Sequence, residues 1–292
     1  MNEDAMGKRT AAWIKNAIRQ FIDSDQNILD SRNGESAFGK PLIGFSRGDD
    51  PLFEEFKHHI GLFYWTPLDI FGKTFPSVVV TPRELMVISW ILPQSKLTKL
   101  DNRREKIYPS ERWARSKCIG EQVNVKLRHH LAALLIEAGH EAVAPLTSPH
   151  WGPKTSQAYG MASNWSERHA AFASGLGTFG LCDGLITPAG KAMRCGSVVA
   201  RISVPPTQRP YGDHHEYCLF FSKGGICGIC MKRCPASAIT PEGHDKMKCR
   251  NYIHSMCTPY VKAHFNLETD VCGLCQTKVP CESAIPSPMK NL

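Results

Sequence analysis

Cys227-Gly-Ile-Cys230-Met-Lys-Arg-Cys234-Pro235, echoed further on by Cys272-Gly-Leu-Cys275, decides how the carboxy-terminal part of this 292-residue chain folds. Of twelve cysteines, nine lie from Cys218 onward, and eight of those form two groups. The first is Cys218, Cys227, Cys230 and Cys234; the second is Cys249, Cys272, Cys275 and Cys281. Thiolate is a soft ligand that suits iron and zinc. An x2 spacing lets two sulfurs from one tight loop reach adjacent corners of a metal centre, while a remote cysteine closes the shell. Gly228 and Gly273 let the backbone come close to such a centre, and Pro235 turns the chain away after it.

Zinc is the alternative occupant, since Cys-x2-Cys pairs also serve structural zinc. A three-cysteine run that leaves through Cys-Pro favours iron and sulfide instead. That run resembles the bacterial ferredoxin loop, in which closely spaced thiolates hold one cubane and the Cys before Pro holds the neighbouring one. The resemblance implies two [4Fe–4S] clusters. One would take Cys218, Cys227, Cys230 and Cys281, the other Cys234, Cys249, Cys272 and Cys275. Cys257 is the substitute if Cys249 or Cys218 fails. Cys118, Cys182 and Cys195 lie outside both groups and read as buried small hydrophobes.

A hydrophobic fraction of 42% and a charged fraction of 21% are those of a globular protein with an ordinary core. No apolar run is long enough to span a membrane, and the amino terminus shows no export signal, so a cytoplasmic location is expected. Clustered cysteines there bind metal more often than they pair. The net charge is +8, and Lys96–Arg128 carries ten Lys/Arg against four Asp/Glu. This stretch is either a solvated helix face or a docking surface for an anionic partner.

Residues 10–24 carry Trp13, Ile14, Ala17, Ile18, Phe21 and Ile22 at helical spacing. Asp50-Pro51 opens a second helix with Phe53 and Phe56 inward. Thr81-Pro-Arg-Glu84 has capping-box logic and leads into Met86–Leu92, a buried strand ending at Pro93. A long helix is predicted over Ser110–Ala138, with Gly139 just past its end, and a strand over Glu141–Ala144. Asn164-Trp-Ser-Glu167 reads as a capping box for a short helix stopping near Gly175. Strands follow near Gly184–Thr187 and Ser197–Val204, before Pro205-Pro206. This alternation argues for an α/β or α+β layer domain over residues 1–210, followed by a cluster-binding module over 211–292.

Gly175, Gly177 and Gly180 follow that short helix and precede a strand, the reverse of a dinucleotide fingerprint. They read either as a helix cap and hairpin turn or as a contact for a flat cofactor. The adjacent pairs His58-His59 and His129-His130 point about 100° apart on a helix and share no metal. His169, His214 and His215 lie near the glycine turn and the cluster module.

Glu167-Arg-His-Ala-Ala-Phe-Ala-Ser-Gly-Leu-Gly-Thr-Phe-Gly180, the two cysteine groups with Lys248-Cys249-Arg-Asn-Tyr-Ile between them, and Val87–Pro93 together resemble the epoxyqueuosine reductases and the related reductive dehalogenases. The resemblance implies an α+β fold: a nitroreductase-like layer domain holding cobalamin, then a small ferredoxin-like domain whose clusters feed it electrons. It also implies a donor protein of ferredoxin or flavodoxin type. Two departures qualify it. The family's proton-donating Asp falls at Gln122, which delivers no proton, leaving Glu121 as the candidate acid. Six residues follow the second group beyond Pro286, without the helical tail that grips transfer RNA, so that partner is not expected. The expected function is an iron–sulfur oxidoreductase passing electrons to a corrinoid or substrate. The alternatives are an electron-transfer partner or corrinoid-protein activator without small-molecule turnover, and a zinc-stabilised nucleic-acid-binding module.

Overall fold

The computed structural model of the protein describes residues 3–287. Its centre is a four-stranded sheet of β1 (Leu42–Arg47), β2 (Leu85–Pro93), β3 (Ala142–Val143) and β4 (Met193–Arg201), in the order β1-β2-β4-β3 with every neighbour antiparallel. All nine residues of β2 are buried. Alternation then sorts them: Met86, Ile88, Trp90 and Leu92 face one layer, and Leu85, Val87 and Ile91 face the other. A strand covered on both faces needs no polar alternation, which is why β2 reads as one apolar run.

The first layer is α1 (Glu3–Asp23) and α5 (Glu111–Glu137). Helix α1 buries Ile14, Ala17, Ile18, Phe21 and Ile22 as its stripe predicts, but Trp13, one position round the helix from Ile14, stays exposed. Helix α5 begins at Ser110, whose hydroxyl accepts from Trp113 N, and ends where Gly139 takes a positive φ. It lays Val123, Leu127, Leu131 and Leu135 on the sheet. The second layer comprises α2 (Leu52–Ile60), α3 (Pro67–Thr74) and α6 (Glu167–Ala173). Asp50 caps α2 by accepting from Leu52 N at 3.1 Å. Thr81 and Glu84 make the predicted capping box ahead of β2. Antiparallel strands between helical layers make the fold α+β.

Two local expectations are corrected. Ser166, not Asn164, caps α6, because Ser166 is the extended residue whose hydroxyl faces His169 N. The Asn164 side chain instead ties Gly152 and His150. Strand β4 runs Met193–Arg201 rather than Ser197–Val204, since its ladder with β2 extends back to Met193 opposite Pro93.

From Cys218 the chain becomes short helices and turns: α7 (Leu219–Ser222), α8 (Ile229–Lys232), α9 (Lys246–Tyr252) and α10 (Thr258–Phe265), with one hairpin of Ile239–Thr240 and Gly243–His244. A π-turn at Ile253–Cys257 joins α9 to α10. This segment rests on α4 (Lys96–Arg104) and on α5. Asn102 donates to Thr277 Oγ1 at 3.1 Å, and Arg103 pairs with the buried Glu282. The Trp113 indole fills the space above Gly273, where a Cβ would come within 2.2 Å of its nitrogen. Among the described residues, no helix is long and apolar enough to cross a membrane.

Candidate metal centre

The cysteine-rich turns bring the first predicted set together. Cys218 precedes α7, and Cys227 and Cys230 sit at the amino-terminal end of α8. Cys281 returns from the other end of the segment, and these four thiols line one small cavity with Lys191, Leu181 and Ile186. Burial pushes the Cys281 thiol up to about 11, with Lys191 opposing.

The second set gathers around α9. Cys272 and Cys275 flank a turn opened by Gly273 at φ +72°, a left-handed conformation that favours glycine. Cys257 is fully buried and hydrogen-bonds the Cys272 thiol. The π-turn carries one more residue than an α-turn. Removing that step of about 100° brings Cys257 to within about 20° of Cys249's side of the helix instead of about 80°. Cys249 contacts His244, whose Nδ1 lies 3.0 Å from Asp183 Oδ2. Asp183 first, then Cys249, pushes that imidazole up to about 9.

Between the sets stands a thiol the sequence reading left in the core. Cys182 lies in the turn between Phe179 and Leu185, close to Cys230 of one set and Cys275 of the other. Lys191 Nζ donates to its sulfur at 3.2 Å. Cys230 and Cys275, ahead of Lys191, draw the Cys182 thiol well down. The only sequence signal was a lysine in an otherwise small and apolar stretch, Gly184–Met193. Cys195 takes no part; burial pushes its thiol up to about 12 beside the Arg128 network.

The donor chemistry fits a thiolate-bound cluster. The Cys234 sulfur accepts the backbone N–H of Ala238 at 3.3 Å. Such bonds stabilise sulfur that carries negative charge. Lys191 is 3% exposed, and among the described residues no carboxylate pairs with it. A buried ammonium needs anionic neighbours, and sulfur supplies them here. Among the described residues, no three His, Cys, Asp or Glu side chains close on one point to hold a single metal ion.

The remaining predicted residues fall elsewhere. Gly175, at φ +76°, terminates α6, and a Cβ there would meet Gln208 O at 2.8 Å. A Cβ on Gly177 would meet Ile186 O at 2.2 Å, and one on Gly180 the Ile186 side chain at 3.2 Å. At each of these positions the chain's own atoms occupy the space that a Cβ would need.

Gln122 is exposed, whereas Glu121 turns into a buried charge network. Its carboxylate accepts from Arg128 Nη1 at 3.0 Å and lies 3.9 Å from Arg194 Nε. Arg128, 1% exposed, also donates to Glu167 at 3.0 Å and to Cys195 O at 3.1 Å. Glu167 accepts from Ser197, whose hydroxyl accepts from Trp165. Burial pushes the Glu167 carboxyl up against the pull of Arg128. In the basic stretch Arg103, Arg112, Arg115 and Arg128 are all engaged by carboxylates of this chain.

No family model and no curated protein matches the sequence. Solved structures match in fold. A variant of the catabolic reductive dehalogenase NpRdhA superposes with TM-score 0.52 and 13% identity, over 94% of this chain and 37% of that one. The same enzyme with 3-bromo-4-hydroxybenzoic acid gives 0.50 and 13%, over 97% and 38%. An epoxyqueuosine reductase with a modified tRNA stem loop gives 0.46 and 16%, over 93% and 66%. The chain spans 37% to 66% of the length of these relatives. Its structural neighbours are thus the reductive dehalogenases and epoxyqueuosine reductases that the motifs resemble, and what it shares with the dehalogenase is the fold.

Proposed function

We propose that this chain is an iron–sulfur oxidoreductase that carries electrons through two [4Fe–4S] clusters. Cys218, Cys227, Cys230 and Cys281 would hold the first. Cys234, Cys272 and Cys275 would hold the second, completed by Cys249 or Cys257. The observation that carries the reading is the single cavity lined by the four thiols of the first set beside the buried Lys191. Bound there, the clusters would supply one-electron transfer.

The chain's own groups do the rest. The backbone N–H of Ala238 aims at the Cys234 sulfur, and Lys191 offsets charge in a buried site. Leu181, Ile186 and Val279 wall the first set from water. The donor fits a small ferredoxin- or flavodoxin-type protein. The engagement of Glu121 by Arg128 favours electron delivery to a partner over reduction of a substrate on a bound corrinoid.

Anaerobic purification with iron, sulfide, zinc and cobalt analysis tests the reading. About eight irons and eight sulfides per chain, with thiolate-to-iron absorbance bleached by a reductant, are expected. A colourless, iron-free protein, or one holding one or two zinc ions, would overturn it.

A further inference from the structure

Lys191 is a buried cation beside the cavity of the first set and in contact with Cys182. Its Nζ donates to Cys182 Sγ, and that sulfur touches Cys230 of the first set and Cys275 of the second. Its backbone N–H donates to the carbonyl of Cys281 at 2.9 Å, tying the lysine to the loop that closes the first set. Gly190, just before it, is packed so closely that a Cβ would lie 2.1 Å from Glu282 O. The lysine therefore enters from the sheet domain at a fixed position. Lysine is almost never fully buried without a partner, and no carboxylate among the described residues provides one.

We propose that Lys191 is the built-in counter-charge of the two-cluster centre, raising the reduction potential of the first cluster, and that Cys182 is the sulfur that seats its ammonium and not a cluster ligand. The inference rests on the cluster reading above and adds a residue that determines electron affinity. An electron entering the centre adds negative charge in a site with little water to screen it. A fixed cation there favours the reduced form. The four thiols lining the cavity complete a cubane's shell without Cys182, which is missing from that lining.

The test is an EPR-monitored redox titration of the anaerobic full-length protein, with iron and sulfide counted in every sample. Lys191→Met should disfavour reduction of one cluster at least tenfold, a drop of about 59 mV for a one-electron couple. Lys191→Arg, which keeps the charge, should stay within about threefold of the parent. Cys182→Ala should retain the parent's iron and shift the same cluster in the same direction by less. Iron-replete Lys191→Met with the parent's potentials would overturn this inference alone. So would loss of half the iron in Cys182→Ala, which would make Cys182 a ligand. If Lys191→Met and Lys191→Gln take up no iron while Lys191→Arg takes up the full amount, the need for charge is upheld; if Lys191→Arg also fails, the proposal falls. A parent protein without iron sinks the cluster reading and this inference together.

Discussion

Replacing Arg128 by Met tests the charge network at the heart of the sheet domain. The guanidinium is 1% exposed and serves Glu167, Glu121 and the carbonyl of Cys195. Methionine fills much of the volume, so the main loss is electrostatic. Glu167, 8% exposed, keeps Ser197 and Trp165 but loses its cation. Breaking a buried pair from one side costs about 3–5 kcal/mol because a charge is stranded. At about 2–4 °C per kcal/mol for a chain somewhat shorter than this one, melting should fall by roughly 6–20 °C. Adding Glu167→Gln removes the stranded charge and keeps a hydrogen-bonding side chain, so the double variant should melt above Arg128→Met alone. Scanning calorimetry on the three proteins under anaerobic conditions reads this out. Arg128→Met melting within about 2 °C of the parent, or a double variant as unstable as the two single losses summed, would refute the reasoning.

Three further outcomes are expected. Trp90→Phe removes the indole N–H that donates to Asn124 at 2.9 Å in a fully buried pair, and should cost about 1–3 kcal/mol in the denaturation midpoint, plus the loss of ring volume. Gly273→Ala forces a Cβ onto the Trp113 indole at a positive φ, so it should lower both stability and iron content per chain, whereas Gly212→Ala, with no heavy atom near its Cβ position, should lower neither. His169, pulled down to about 3 by burial and then by Arg168, should make folding stability fall with pH: below about 6.5 the unfolded chain takes up a proton that the folded site refuses, at up to about 1.4 kcal/mol per pH unit until about pH 3. Stability measured from pH 7 to 5 should thus decline, and the decline should flatten in His169→Phe.

Elements whose stabilising contacts are local were legible in the sequence. Helix α5 announces its cap at Ser110, its period and its end at Gly139, and β2 announces itself by burial on both faces. The two cysteine groups stand out because their spacing is written along the chain; that they hold clusters is the proposal made above. Cys182 and Lys191 do not stand out. Their partners Cys230, Cys275 and Cys281 come from remote turns, and a solitary cysteine in an apolar stretch looks like packing. Glu167 was misread for a related reason: its place beside a helix start suits a surface capping box, yet the helix turns it inward to Arg128. In the basic span Lys96–Arg128 some acidic partners were visible nearby (Asp101, Glu111 and Glu121), whereas Glu35, Glu167 and Glu282 come from remote segments.

Those ion pairs bear on how electrons could move. Transfer between two centres requires a fixed separation, and short turns alone would not fix it. Arg233, one residue before Cys234, donates to the carbonyls of Leu274 and Thr277 at 3.2 and 3.1 Å and to those of Glu105 and Asn102 at 2.7 and 3.2 Å. One guanidinium thereby clamps the first cysteine turn to the second and both to the end of α4. The Arg103–Glu282 pair does the same for the loop carrying Cys281. Arg103 and Arg233 thus hold the cysteine-rich segment against α4. Positional precision in the cysteine-rich segment therefore comes from the helices it rests on, so a perturbation of α4 should reach the sulfurs without touching one.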